Sequence, residues 1–268
     1  QRSTIQKAVT IEGIGLHRGS PIILRLKPAA DGLNFVREGV KIPATAENVV
    51  DTRLNTTLGR EGLTLATVEH FMSACAGLGL TDATVEVTGD EMPALDGSAR
   101  LFAAAILEAG LRPLDNAYPE LELSAPVRVE QGESFVEACP GDFRIEYSID
   151  FPEKAIGTQS FLYTGGDYLS LIAPARTFGF LKDIGELQKR GLASGGKLLN
   201  CILIDDEKVV NTELRFPEEF ARHKILDLIG DFYLLGKPIR GLVTAQMTGH
   251  SDNSALLKKI RDSLGAFW

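Results

Sequence analysis

Apolar and polar positions alternate over residues 4–12 and again over 21–27, the period of two half-buried strands. Gly13-Ile14-Gly15-Leu16-His17-Arg18-Gly19 joins them; its glycines lack dinucleotide-fingerprint spacing, and no helix follows. Residues 33–65 read as polar strands and turns. The run from Thr67 to Ala76 then takes a helical period, with Thr67 in the place of an N-cap and Gly77-Leu78-Gly79 as the stop. A strand containing Val85 and Val87 follows, then a turn at Pro93–Ser98 and a helix over Ala99–Ala109. The pattern breaks at Arg112–Pro119, the expected linker. Beyond it, Val127–Glu130 and Phe143–Phe151 are strand-like, 217–235 is a long helix, Gly241–Met247 is a strand, and 253–263 is a final amphipathic helix.

The second half echoes the first. Glu69-His70 opens a helix that ends in glycine and feeds a strand followed by Thr88-Gly89. Arg222-His223 lies early in a helix that ends in glycine and feeds a strand followed by Thr248-Gly249. The echo implies an α+β fold: a two-domain sandwich of duplicated sheet-plus-two-helix units, with the helices packed between the sheets. Chance recurrence of short glycine-ended helices is the competing reading. The expected domains are 1–115 and 120–268, the second carrying a β-α-β insertion at about 176–210. That insertion walls an apolar channel or forms a small satellite core; periodicity alone leaves both open.

Apolar residues make up 44% of the 268 and charged residues 24%, the composition of an ordinary globular chain. A net charge of −8 offers no basic field for phosphates, so nucleic acid is not an expected partner. No apolar run reaches transmembrane length and no signal-peptide pattern opens the chain, so we expect a cytoplasmic protein without a membrane span. Three widely spaced cysteines, Cys75, Cys139 and Cys201, read as reduced core thiols. Any transition-metal site must then draw on His17, His70, His223 and His250 together with carboxylates.

His223, Asp227 and Asp231 recur every four residues, a polar stripe on a helix otherwise faced by Ile225, Leu226, Leu228, Ile229, Phe232 and Tyr233. A His/Asp pair at that spacing can offer two ligands to one metal, or simply hydrogen-bond. With His70 added, two imidazoles and one carboxylate leave a fourth position free, the composition of a catalytic zinc site. Glu69 would then be a base, His250 an acid oriented by Asp231, and Lys224 a positive charge beside a developing oxyanion. Each has a plainer alternative: a helix-start acid, a surface ammonium, a partner for a nearby Lys or Arg. Neither HExxH nor HxxEH is present, which disfavours a metalloprotease.

Seven stretches, in order along nearly the whole chain, resemble the UDP-3-O-acyl-N-acetylglucosamine deacetylase (LpxC) family of lipid A biosynthesis. They are Gly13–Gly19, Thr67–His70, Leu95–Ala99, Ala175–Phe180, Gly191–Ala193, Arg222–Asp227 and Gly249-His250. The resemblance implies a metal-dependent amidohydrolase that releases acetate from a small-molecule UDP-sugar bearing an acyl chain. A catalytically silent nucleotide-sugar or lipid-binding protein of the same fold is the alternative. By this likeness Zn2+, with Fe2+ acceptable to the same donors, is held by His70, His223 and Asp227. Glu69, His250, Asp231, Lys224 and Thr177 match the catalytic positions, and Phe178, Asp150, Phe151 and His17 the substrate-binding ones. Phe180, Ile184, Leu192 and Leu203, with Leu16 and Leu54 from the first half, match an acyl-tunnel wall. Met247 and Lys197 depart from the family pattern, at a diphosphate contact and the tunnel mouth. We expect a monomer.

Overall fold

The computed structural model describes residues 1–115, 117–189 and 200–264. Strands Val9–Ile14, Pro21–Pro28, Ala83–Val87, Leu33–Arg37 and Val40–Pro43 pair in that order into one five-stranded sheet. Val127–Gln131, Ser134–Cys139, Leu242–Gln246, Arg144–Asp150 and Thr158–Tyr163 form a second. Counted along the chain, each sheet has the order first, second, fifth, third, fourth. In each, the fifth strand runs parallel to the third and every other neighbour is antiparallel. The same unusual order occurring twice matches the duplication expected from the two glycine-ended helices.

The helices are α1 (Glu69–Leu78), α2 (Arg100–Ala109), α3 (Tyr168–Leu171), α4 (Leu181–Lys189), α5 (Glu219–Tyr233) and α6 (His250–Leu264). Each sheet buries one face. Ile22, Leu24 and Leu26 point inward from one, and Ile145, Tyr147 and Ile149 from the other. Between these faces α1 packs on α5 and α2, and α5 packs on α6. The core is continuous through this helical layer, with Phe35, Phe71 and Phe102 stacked edge-on at 5.8 and 5.6 Å. Gly230 makes the α1–α5 approach possible: a Cβ there would lie 2.0 Å from the Glu69 carbonyl oxygen.

Several boundaries differ from the sequence expectation. Residues 4–12 are not one strand: Ser3–Ile5 pairs with Leu111–Pro113, and the hairpin strand begins at Val9. The polar stretch 33–65 supplies two strands of the first sheet, in which Phe35 and Ile42 are core residues. Thr67 is not a cap. Its φ is +62°, its hydroxyl is buried without a partner, and helix α1 starts two residues later. The Thr56 carbonyl instead accepts the Val68 N–H at 3.2 Å. Helix α6 begins at His250 rather than 253, because Asp252 accepts the Gly249 N–H at 3.0 Å, half of a capping box. Its first turn faces the cavity, so the amphipathic pattern becomes visible only beyond it. Cys75 is a core thiol, whereas Cys139 and Cys201 are half-buried; all three are free.

Within 176–210, Phe178–Phe180 pairs in parallel with Ile202–Ile204, and α4 lies between them in sequence. A buried ion pair anchors this excursion. The Arg176 guanidinium meets both Glu219 carboxylate oxygens, at 2.8 and 3.1 Å, at the start of α5. Leu192 and Lys197 lie outside the described residues.

Candidate active site

Helices α1, α5 and α6 converge on one cavity of about 650 Å³, lined on another side by Phe178, Phe180, Ile184 and Leu203. His70 is the second residue of α1; His223 and Asp227 sit one turn apart on α5. The Nε2 atoms of both histidines lie 3.5 Å from Asp227 Oδ1. One donor atom from each of the three falls within 4.8 Å of the others, and all three side chains are buried. Asp227 Oδ1 has no hydrogen-bond partner. An ionised carboxylate oxygen left bare between two imidazole nitrogens is costly unless something positive joins it. The residues fit a divalent cation.

The protonation states of His223 and Asp227 favour the same reading. The His223 Nδ1–H donates to the Ala175 carbonyl at 3.1 Å, which leaves Nε2 as the lone-pair nitrogen. Burial lowers the His223 pKa to about 4, so this imidazole stays neutral. Burial also opposes the charge on Asp227, but the surrounding His223, His70, His250 and Lys224 outweigh it and hold the carboxyl well below its ordinary range. His70 is raised: burial works against its protonation, and the negative charges of Asp227 and Glu69 overcome it.

Beside the cluster stand a second carboxylate and a third imidazole. Glu69 Oε2 accepts the Thr56 backbone N–H at 3.0 Å, and Oε1 faces His250 Nε2 at 3.9 Å. Burial pushes the Glu69 carboxyl up, although His250 and His70 pull against it. On its far side, His250 Nδ1–H donates to Asp231 Oδ2 at 2.8 Å. Burial disfavours the charged imidazole, yet Asp231 and Glu69 outweigh it and raise His250 to about 10. Lys224 Nζ is 4.0 Å from Asp227 Oδ2 on the cavity wall.

The remaining expected residues divide. Leu16, His17, Leu54, Thr177, Phe178, Phe180, Ile184 and Leu203 line the same cavity. Asp231 stands behind His250 rather than in the wall. Asp150 and Phe151 are not in the wall either. Asp150 is exposed and accepts the Thr158 hydroxyl at 2.7 Å, while Phe151 packs against Phe178 at 6.0 Å. Met247 also lies outside it, with its sulfur accepting the Asp150 N–H at 3.0 Å.

The pattern of the sequence did not single out Thr56, Asn253 or Asn55. The Thr56 hydroxyl donates to Asp231 Oδ1 at 2.5 Å, and Asn253 Nδ2 donates to Asp231 Oδ2 at 2.8 Å. Asn55 Nδ2 donates to His17 Nε2 at 3.2 Å. Asn253 was findable, since it lies three residues after His250 on one helix face. Thr56 carries no sequence signal, being one polar residue in a polar turn.

A buried two-imidazole, one-carboxylate donor set with a carboxylate base alongside defines the class of mononuclear metal hydrolases. Residues 2–262 match the family described as UDP-3-O-acyl N-acetylglycosamine deacetylase, LpxC, and the chain belongs to that family. It is 45% identical over 267 residues to the UDP-3-O-acyl-N-acetylglucosamine deacetylase of Myxococcus xanthus, covering 96% of this chain and 85% of that one. The proteins of that name from Nautilia profundicola and Helicobacter pylori are 40% and 38% identical, each covering 97% of this chain and 91% of the relative.

Proposed function

We propose that this chain hydrolyses the acetamide of UDP-3-O-(3-hydroxyacyl)-N-acetylglucosamine, releasing acetate, with a zinc ion held by His70, His223 and Asp227. The observation that carries the reading is the bare Asp227 Oδ1, 3.5 Å from two imidazole nitrogens and in the same cavity as the opposed Glu69–His250 pair. Family membership supports the substrate.

Bound there, the cation supplies Lewis-acid polarisation of the acetamide carbonyl and positive charge for the oxyanion. The rest falls to side chains. Glu69 Oε1, the oxygen not occupied by Thr56, takes a proton from the attacking water. The tetrahedral oxyanion gains further stabilisation from Lys224 and the Thr177 hydroxyl on the cavity wall. His250, protonated and held by Asp231, gives its Nε2 proton to the departing glucosamine nitrogen. Leu16, Leu54, Phe180, Ile184 and Leu203 present an apolar wall that suits the 3-O-acyl chain. Phe178 and His17 serve the sugar, and Asp150-Phe151 the uridine end.

No helix among the described residues is long and apolar enough to cross a membrane. We read the protein as a cytoplasmic monomer whose two domains, 1–115 and 120–268, each contribute half of the site. Purified protein loaded with zinc should release acetate from the acylated UDP-sugar and not from UDP-N-acetylglucosamine lacking the chain. Equal turnover of both would remove the acyl assignment, and no release from either would remove the reaction.

A further inference from the structure

We propose that Thr56 is a positioning residue that fixes the base and the acid of this site relative to one another. The inference rests on the deacetylase reading of Glu69 and His250. Thr56 is 2% exposed, and each of its polar atoms is committed to one side of the site or the other. Its N–H donates to Glu69 Oε2 at 3.0 Å, and its carbonyl accepts the Val68 N–H at 3.2 Å, so its backbone grips the first turn of α1. Its hydroxyl donates to Asp231 Oδ1 on α5 at 2.5 Å and lies 3.3 Å from His250 Nδ1 on α6. Among the described residues, no other hydrogen-bonds to both Glu69 and Asp231.

The consequence is geometric. One Glu69 oxygen is held, so the other is aimed at the cavity. The Asp231 oxygens are shared out, Oδ1 to Thr56 and Oδ2 to His250 Nδ1 and Asn253. With both anchors in one residue, the 3.9 Å gap between Glu69 Oε1 and His250 Nε2 is set by the shape of a single threonine. Removing the hydroxyl leaves Asp231 held through Oδ2 alone, so the carboxylate can turn about that oxygen and tilt His250 with it while the metal donors stay in place.

The test compares Thr56→Val, which keeps the backbone bonds and the branched shape, with Thr56→Ser, which keeps the hydroxyl. With zinc-loaded protein, Thr56→Val should lose about 10- to 100-fold in kcat while KM and zinc content stay within about threefold. Thr56→Ser should stay within about threefold of the parent. A second measurement needs no turnover: the nitrogen-15-resolved NMR signal of the His250 Nδ1 proton should shift or exchange away in Thr56→Val and persist in Thr56→Ser. An unchanged kcat and signal in Thr56→Val would overturn the proposal, as would a serine variant as impaired as the valine one. If the parent protein released no acetate, the deacetylase reading would fall, and the imidazole signal alone would decide whether Thr56 holds the His250 side.

Discussion

Glu69 Oε1 and His250 Nε2 face one another across 3.9 Å, although Glu69 opens α1 in the first half of the chain and His250 opens α6 in the second. Both are first residues of helices, where the backbone dipole favours negative charge and disfavours positive. That suits the carboxylate and works against a protonated imidazole. Asp231, hydrogen-bonded to the far nitrogen at 2.8 Å, reverses the balance at His250. Glu69 and His250 also act on one another: Glu69 helps to raise His250, and His250 pulls Glu69 down against its burial.

Glu69→Gln keeps the shape and removes the base. Turnover should fall by about 10²- to 10⁴-fold while zinc content, measured by elemental analysis, remains that of the parent. Full activity in this variant would exclude Glu69 from proton abstraction.

The pH dependence follows from the direction of the His250 shift. Its folded value of about 10 stands above the ordinary 6.5, because Asp231 and Glu69 together outweigh the burial that opposes the charge. The protonated form is thus favoured by folding. Its contribution to stability is complete below about pH 6.5 and is lost as the pH rises towards 10. Asp231→Asn should move the basic limb of the kcat profile to lower pH. In urea titrations the deficit of this variant against the parent should be larger at pH 6 than at pH 10. A basic limb that did not move would show that Asp231 does not hold the proton on His250.

Removing the cation should destabilise the fold, since the donors are buried and Asp227 Oδ1 has no other partner. At zinc concentrations a hundredfold above Kd, binding contributes about 2.7 kcal/mol, so thermal melting should drop on chelation and recover on readdition. His223→Ala should abolish that recovery. A melting curve indifferent to chelator would argue against a bound ion.

Gly230 lines no part of the cavity, yet Gly230→Ala should damage the site. The new Cβ would meet the Glu69 carbonyl at 2.0 Å and force α1 away from α5. We expect a loss of about 1–3 kcal/mol or more in denaturant unfolding, with kcat falling alongside. Normal stability and turnover in this variant would mean that the helices tolerate a wider spacing.

Leu203 tests the apolar wall. Leu203→Asp should raise KM for the acylated substrate by about tenfold or more, the cost of burying part of a chain against charge. Stability should change little, because Leu203 is only half-buried on its strand. An unaltered KM would move the chain elsewhere in the cavity.

Much of this architecture can be read from local pattern. The His223, Asp227 and Asp231 stripe is visible because one helix repeats it every turn, and the glycine-ended helices announce the two similar halves. What escapes is whatever depends on partners distant in sequence. Leu33–Arg37 and Val40–Pro43 read as polar strands and turns, and only the pairing of Leu33–Arg37 with Ala83–Val87 brings Phe35 and Ile42 into the core of the first sheet. The first turn of α6 is polar because it faces the cavity, so its periodicity starts late. Thr67 has the composition of a cap, but its φ of +62° and its buried, unpartnered hydroxyl leave the cap position to Val68.

The doubled strand order has a consequence for how such a catalyst could be taken apart. One copy carries Glu69 and His70; the other carries His223, Asp227 and His250. A nick in the chain beyond Pro113 would leave two fragments, each chemically mute, and their reassociation would be reported by acetate itself, a built-in complementation assay for the interface between α1 and α5.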